Sequence, residues 1–184
     1  MTINIAAISG SLKSTSSNTN ILRALAAMAP QDIVIDLIEG LDTLPHFNPE
    51  TEEEIASVNI FRQKIKEADA VVFSTPEYAF GIPGVLKNAL DWLVSSGELN
   101  TKPVAAISAS PLYPGGDKAL ASLLLTLTAL GTNMGANSSL SIGSVKIKMN
   151  EAGEITHAET IQALALLLNS LIENISLSKT ENIE

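Results

Sequence analysis

INIAAISGSLKSTSSNTNILRALAAM, running from Ile3 to Met28, passes through three textures in succession. Ile3–Ile8 is a largely apolar run of strand length, Ser9–Asn18 is a loop crowded with hydroxyls, and Ile21, Leu22, Leu25 and Met28 recur by threes and fours as on one face of a helix. A strand without polar alternation needs cover on both faces, so this stretch predicts a buried strand feeding a helix that packs back onto the same sheet.

The succession repeats along the chain. Ile33–Leu37, Ala70–Phe73, Val104–Ile107 and Ser138–Ile142 read as further strands. Between them Ile55, Val58, Phe61 and Ile65, then Leu86, Ala89, Leu90 and Leu93, then Leu120, Leu124 and Leu127 carry helical spacing, and a last helix is predicted from about Glu159 to Ile175. Alternating strand and helix predicts an α/β fold: a five-stranded parallel sheet with right-handed crossovers, helices on both faces and strand order 2-1-3-4-5. In such sheets ligands sit at the carboxyl ends of the strands near the switch in order, which singles out the loops after the first, third and fourth strands. The segment Gly40–Glu54, with Pro45, Pro49 and a run of Glu, and the polar stretch Ser176–Glu184 read as surface or frayed structure. The expectation is one domain over residues 1–176 with a polar C-terminal tail over 177–184.

Composition narrows the chemistry. With 184 residues and 46% hydrophobic content the chain suits one domain with a substantial core. It contains no cysteine, which rules out disulfides, cysteine-ligated zinc, iron–sulfur clusters and thiol nucleophiles, so redox chemistry would have to come from a bound cofactor. A net charge of −9 without a Lys/Arg cluster opposes nucleic acid or an anionic membrane as partner. The start MTINIAAISGS has neither a basic region nor a signal-length apolar stretch, and the expectation is a soluble cytoplasmic protein.

In the first loop, Ser9-Gly10-Ser11-Leu12-Lys13-Ser14-Thr15-Ser16-Ser17-Asn18 leads into a helix that Ser17 or Asn18 would cap. A helix N-terminus favours an anion, hydroxyls add donors, and Lys13 adds a positive charge. The loop lacks both the G-x-x-x-x-G-K-[ST] pattern of nucleoside triphosphatases and the three glycines of a dinucleotide turn, and a phosphatase would need a cysteine. A monophosphate such as that of FMN fits; a plain solvated turn has the same composition.

After the third strand, Thr75-Pro76-Glu77-Tyr78-Ala79-Phe80-Gly81-Ile82-Pro83-Gly84 puts two rings and two stiffening prolines beside the sheet end, where Tyr78 and Phe80 would stack on a flat ring or pack against protein. Glu77 is open to a structural role. In the following helix Asn88 and Trp92 share a face, while Lys87 and Asp91 pair in solvent. After the fourth strand, Ser108-Ala109-Ser110-Pro111-Leu112-Tyr113-Pro114-Gly115-Gly116-Asp117 contains a glycine pair that permits close backbone approach, and Asp117 would cap the next helix.

On these motifs the sequence resembles the NADPH-dependent FMN reductase family, flavodoxin-like reductases of flavins, quinones, azo dyes and chromate. The family's G-S-L-R-x-x-S-x-N appears as Gly10 to Asn18, and its P-E-Y-N…P-G-x-L-K-N-A-[IL]-D-W appears from Pro76 to Trp92. The resemblance covers roughly residues 3–175 and implies a three-layer flavodoxin-like sandwich. It implies that Ser11, Lys13, Ser16, Ser17 and Asn18 hold the FMN phosphate, and that Pro76, Glu77, Tyr78, Ala79 and Phe80 flank the ring with Ser108, Ser110, Gly115 and Gly116. It also implies NADPH or NADH as donor and a homodimer or homotetramer, for which the apolar Leu120–Leu130 stretch would serve as an interface or, equally, as a buried helix. Two positions depart from the pattern: Lys13 replaces an arginine, losing the bidentate fork, and Ala79 replaces an asparagine, losing a side-chain amide.

The expected function is electron transfer from NAD(P)H through FMN to a small acceptor: a quinone, flavin, azo or nitro compound, or metal oxyanion. No side chain is expected as nucleophile or acid–base catalyst, because a flavin needs only to be held parallel to the nicotinamide. The alternatives are a flavodoxin-type carrier without NAD(P)H turnover and a flavin-free interaction module. His46 and His157 lie outside the three loops without metal-ligand spacing, and no metal is expected.

Overall fold

The computed structural model describes residues 2–51 and 54–181. Five parallel strands, β1 (Ile3–Ser9), β2 (Ile33–Leu37), β3 (Ala70–Thr75), β4 (Val104–Ala109) and β5 (Ser139–Ile142), form one sheet in the order β2-β1-β3-β4-β5. Its register pairs Ile5 with both Ile35 and Ala70, and Phe73 with Ala106. Helices α1 (Ser17–Met28), α2 (Ala56–Glu67), α3 (Gly84–Asp91), α4 (Asp117–Ala129) and α5 (Ala158–Glu181) cover both faces.

Alternation along each strand divides the core in two. Ile5, Ala7, Val72 and Ile107 face α1 and α5, meeting Ile21, Leu25, Leu164 and Leu168. Ala6, Ile8, Val71 and Phe73 face the other way, toward Phe61 and Ile65 of α2, Leu86 and Leu90 of α3, and Leu123 and Leu127 of α4. Each of the Val, Leu, Ile and Phe side chains among these, fully buried, contributes about 1.5–3 kcal/mol of transfer free energy. All six residues of β3 and all six of β4 are buried, as continuous apolar strands between two helical layers must be. By length and hydropathy alone α5 could cross a bilayer; instead its leucine stripe lies in the core.

Three expectations need correction. The chain after Ser176 lies on the surface as expected but is not frayed: α5 continues to Glu181, because the Ser176, Ser178 and Thr180 hydroxyls donate to carbonyls one turn back, Asn133 reaches the Ser178 hydroxyl and Lys179 pairs with Asp69 at 2.8 Å. Residues 182–184 of the expected tail lie outside the described residues. Within Gly40–Glu54, a 3₁₀ turn at Leu41–Thr43 buries Leu41 and Leu44, and Phe47 meets Trp92 edge-on at 5.1 Å, so part of this segment belongs to the core. Glu52 and Glu53 lie outside the described residues. On α4 the buried stripe is Ala119, Leu123 and Leu127, which keeps Leu127 of the predicted set but takes the residue before each of the other two; Leu120 and Leu124 sit half-buried on its flank and Leu125 is exposed.

Candidate active site

The loops after β1, β3 and β4 meet at the carboxyl end of the sheet, where two side chains tie them together and a third fastens the last loop to its own strand. Asn18, 3% exposed at the start of α1, donates from Nδ2 to the Ala109 carbonyl at 3.2 Å and accepts from the Ser74 hydroxyl at 2.9 Å. Glu77 accepts from the backbone N–H groups of Lys118 and Ala119, both at 3.0 Å. Ser108, fully buried, donates from Oγ to the Gly115 carbonyl at 3.0 Å.

Helix α1 is capped by neither Ser17 nor Asn18. Ser16 is the cap: its backbone is extended and its hydroxyl accepts from Asn18 N–H at 3.2 Å. The loop before it is folded on its own hydroxyls, with Ser9 Oγ against Thr19 Oγ1 at 2.8 Å and Ser11 Oγ accepting from Lys13 N–H at 3.3 Å. That leaves a coherent donor set. The N–H groups of Ser14, Thr15 and Ser17 have no hydrogen-bond partner among the described residues, and exposed Lys13 has no carboxylate partner among them. Backbone donors, hydroxyls and one cation at the N-terminus of α1 fit a phosphate monoester.

The loop after β3 carries a two-residue hairpin turn. Tyr78 and Gly81 exchange N–H···O bonds, each 3.0 Å, around Ala79 (φ 50°) and Phe80 (φ 61°). Positive φ at both central residues is the geometry that asparagine and glycine accommodate best. The turn holds Tyr78 and Phe80 outward, with Phe80 79% exposed. Thus neither ring is packed within the chain.

Asp117 does not cap α4; Gly116 occupies the cap position, and Glu77 supplies the acceptor from the loop after β3. Gly115 (φ 94°) has no room for a side chain, since a Cβ there would lie 2.6 Å from Gly143 N. Ser110 accepts from Leu112 N–H at 3.1 Å, and Leu112 and Tyr113 are exposed at the tip of this loop, beyond which the Tyr113–Pro114 peptide is cis. The end of β5 and the residues just after it are participants that sequence reading missed. Ser141 Oγ donates to the Pro114 carbonyl at 3.1 Å, and Ser144 N–H donates to Leu112 O at 3.2 Å. Their signal in the sequence is the small residues Ser141, Gly143 and Ser144 around a buried Ile142.

Every sequence-predicted residue therefore lies at this end of the sheet, in differing circumstances. Ser11, Lys13 and Ser17 have donor capacity to offer; Pro76, Tyr78, Ala79 and Phe80 form a rigid projecting wall. The side chains of Ser16, Asn18, Glu77, Ser108 and Ser110 are committed to holding the loops, and Gly115 and Gly116 shape the backbone. Asn88 and Trp92 act elsewhere: Asn88 Oδ1 accepts from Phe47 N–H at 2.8 Å, and Trp92 Nε1 donates to the Pro45 carbonyl at 2.9 Å. His46 is exposed, and His157 Nδ1 lies 3.1 Å from the Thr160 hydroxyl.

The pattern of one known family, NADPH-dependent FMN reductase, matches residues 3–146. An NADPH:quinone oxidoreductase of Arabidopsis thaliana is 39% identical over 120 residues, which is 62% of this chain and 61% of that protein. The alignment thus spans less than two thirds of that relative's length. An NAD(P)H-dependent FMN reductase of Pseudomonas aeruginosa is 36% identical over 135 residues, covering 70% of this chain and 71% of the relative. Among solved structures, the flavoenzyme FerB of Paracoccus denitrificans, an NAD(P)H:(acceptor) oxidoreductase, superposes with a TM-score of 0.86 over 96% of this chain and 98% of its own, at 28% identity.

Proposed function

The chain belongs to the NADPH-dependent FMN reductase family, and from that premise we propose that it is a cytoplasmic FMN-dependent oxidoreductase passing electrons from NADPH or NADH to a small acceptor. A quinone is the acceptor best supported, by the activity named for the Arabidopsis relative; a flavin, an azo or nitro compound or a metal oxyanion would react by the same route. The observation that carries the reading is the open donor set of the first loop, at the same carboxyl end of the sheet as the Tyr78–Gly81 turn.

In this reading the N–H groups of Ser14, Thr15 and Ser17, the hydroxyls of Ser11 and Ser17, and Lys13 Nζ bind the phosphate. The turn and the Leu112–Tyr113 tip flank the ring. FMN held there would supply the redox chemistry, hydride acceptance from a nicotinamide and two-electron reduction of the acceptor. The protein orients both partners and excludes water through rings it already holds outward. Tyr78, Phe80, Leu112 and Tyr113 form an exposed apolar rim, which supports closure of the site by a second subunit in a homodimer or homotetramer.

Mixing the FMN-loaded protein anaerobically with NADPH or NADH and following the flavin band tests this. Rapid bleaching, reversed by a quinone, is expected. Bound flavin that stays oxidised would make the protein an electron carrier, and failure to take up FMN would leave an interaction module.

A further inference from the structure

The first loop opens on its far side into a chain of cavities that share walls. One of about 280 Å³ lies between Ser14 and Thr15 and the stretch from Lys146 to Gly153; the next, of about 570 Å³, runs along α1 toward the start of α5. Arg23 and Asn20 line both. The larger is walled mainly by apolar groups, among them Ala24, Ala27, Ile155 and Ile161, and its volume falls within the range of small-molecule sites.

Its outer wall is stiff. Met149 and Ile155 bridge as antiparallel partners, and Asn150 N–H donates to Glu154 O at 2.9 Å. Gly153 (φ 83°) presses this hairpin onto α1 so closely that a Cβ would lie 2.1 Å from Asn20 Nδ2. The cations are available: Arg23 Nη1 donates to Asn20 Oδ1 at 2.9 Å, and neither Arg23 nor Lys146 has a carboxylate partner among the described residues. Of the nearby acids, Glu154 Oε2 is held by Asn150 Nδ2 at 2.7 Å, while Glu151 stands exposed on the rim and opposes an anion. Arg23 and Lys146 are both exposed and both line the smaller cavity with Ser14 and Thr15, which places two positive charges beside the first loop.

We propose that this cleft receives an adenosine monophosphate group joined to the flavin phosphate, so that the chain accepts FAD as well as FMN. The inference rests on the flavin reading above, because it starts from the phosphate on the first loop. Ser14 and Thr15, assigned there to the first phosphate, also wall the smaller cavity, so a second phosphate linked to the first enters between Arg23 and Lys146. The nucleoside beyond it lies along Ala24, Ala27, Ile155 and Ile161, where apolar walls suit the faces of a purine.

Fluorescence titration of the flavin-stripped full-length protein with FMN and with FAD tests this. The wild type is expected to bind FAD at least as tightly as FMN. The double variant Arg23→Ala/Lys146→Ala should weaken FAD by about tenfold or more while FMN affinity stays within about threefold, the loss expected for charge-assisted hydrogen bonds to one phosphate. Ile161→Glu, on the exposed side of the groove, should show the same selectivity with an unchanged melting temperature, and Glu151→Gln should tighten FAD alone. Equal losses for both flavins, or none for either, would overturn the proposal. So would 2′,5′-ADP displacing neither flavin's ring yet binding with the same sensitivity to Arg23, since the cleft would then belong to the nicotinamide donor. A wild type that binds FMN but not FAD refutes this inference alone; one that binds neither refutes the flavin reading too.

Discussion

The Glu77 carboxylate, on the loop after β3, accepts the Ala119 N–H at the start of α4 at 3.0 Å, and with the matching bond from Lys118 it caps a helix more than forty residues away. A residue of the P-E-Y motif thereby joins the wall of the candidate site to the helix behind it. Glu77→Ala should cost about 0.5–2 kcal/mol, the range for loss of an N-cap. Glu77→Gln, which retains an acceptor oxygen, should cost less. Urea unfolding measures both, and a Glu77→Ala protein as stable as the wild type would show that the cap contributes nothing.

Asn18 is the corresponding tie for the first loop. Its buried amide bridges Ser74 and Ala109, so Asn18→Leu leaves a buried hydroxyl and a carbonyl without their partner and should cost about 1–3 kcal/mol. Chemical denaturation without flavin isolates this loss from any effect on ligand affinity.

Lys13 has the opposite character, exposed and without a carboxylate partner among the described residues. Lys13→Ala should leave the melting temperature of the flavin-free protein unchanged and weaken FMN binding by about 1–3 kcal/mol, as for a charge-assisted hydrogen bond. Lys13→Arg restores the family's fork and should tighten binding. Calorimetric titration of the three proteins with FMN orders them; equal affinities would move the phosphate elsewhere.

Ala79 and Phe80 occupy left-handed conformations that cost most side chains about 1–2 kcal/mol each. Ala79→Asn should therefore raise stability by several tenths of a kcal/mol. Phe80→Gly should raise it by about 1 kcal/mol, because the exposed ring contributes no core packing. If Phe80 flanks the flavin, that second variant melts higher yet binds FMN more weakly, an opposition that paired thermal and binding measurements reveal.

Acid should destabilise the fold partly through Asp69. Burial resists its ionisation and is the largest single influence, but the Lys179 ammonium, the Asn4 N–H and the charge of Lys102 together outweigh it and hold the carboxyl below the ordinary aspartate range. A lowered folded-state pKa gives stability that is present above the unfolded value near 3.8 and is lost as pH falls through the folded value. Asp69→Asn should flatten the fall of unfolding free energy with pH below about 4. An unchanged slope would assign the acid sensitivity to other carboxylates.

By itself the sequence determined the alternating strands and helices through local periodicity, and general rules for parallel sheets turned that alternation into the strand order and the three loops that matter. It also exposed the donor-rich composition of Ser9–Asn18. What only the tertiary structure decided is the task of each polar side chain there. Asn18 and Glu77 sit in ligand-like motifs, yet their partners are Ala109 and Lys118–Ala119, supplied by chain distant in sequence. The same holds for α5, whose polar end reads as surface or frayed chain until Asp69 and Asn133 are brought beside Lys179 and Ser178. Periodicity is a property of neighbours along the chain, whereas a hydrogen bond depends on which groups folding brings within about 3 Å, and that is settled by packing.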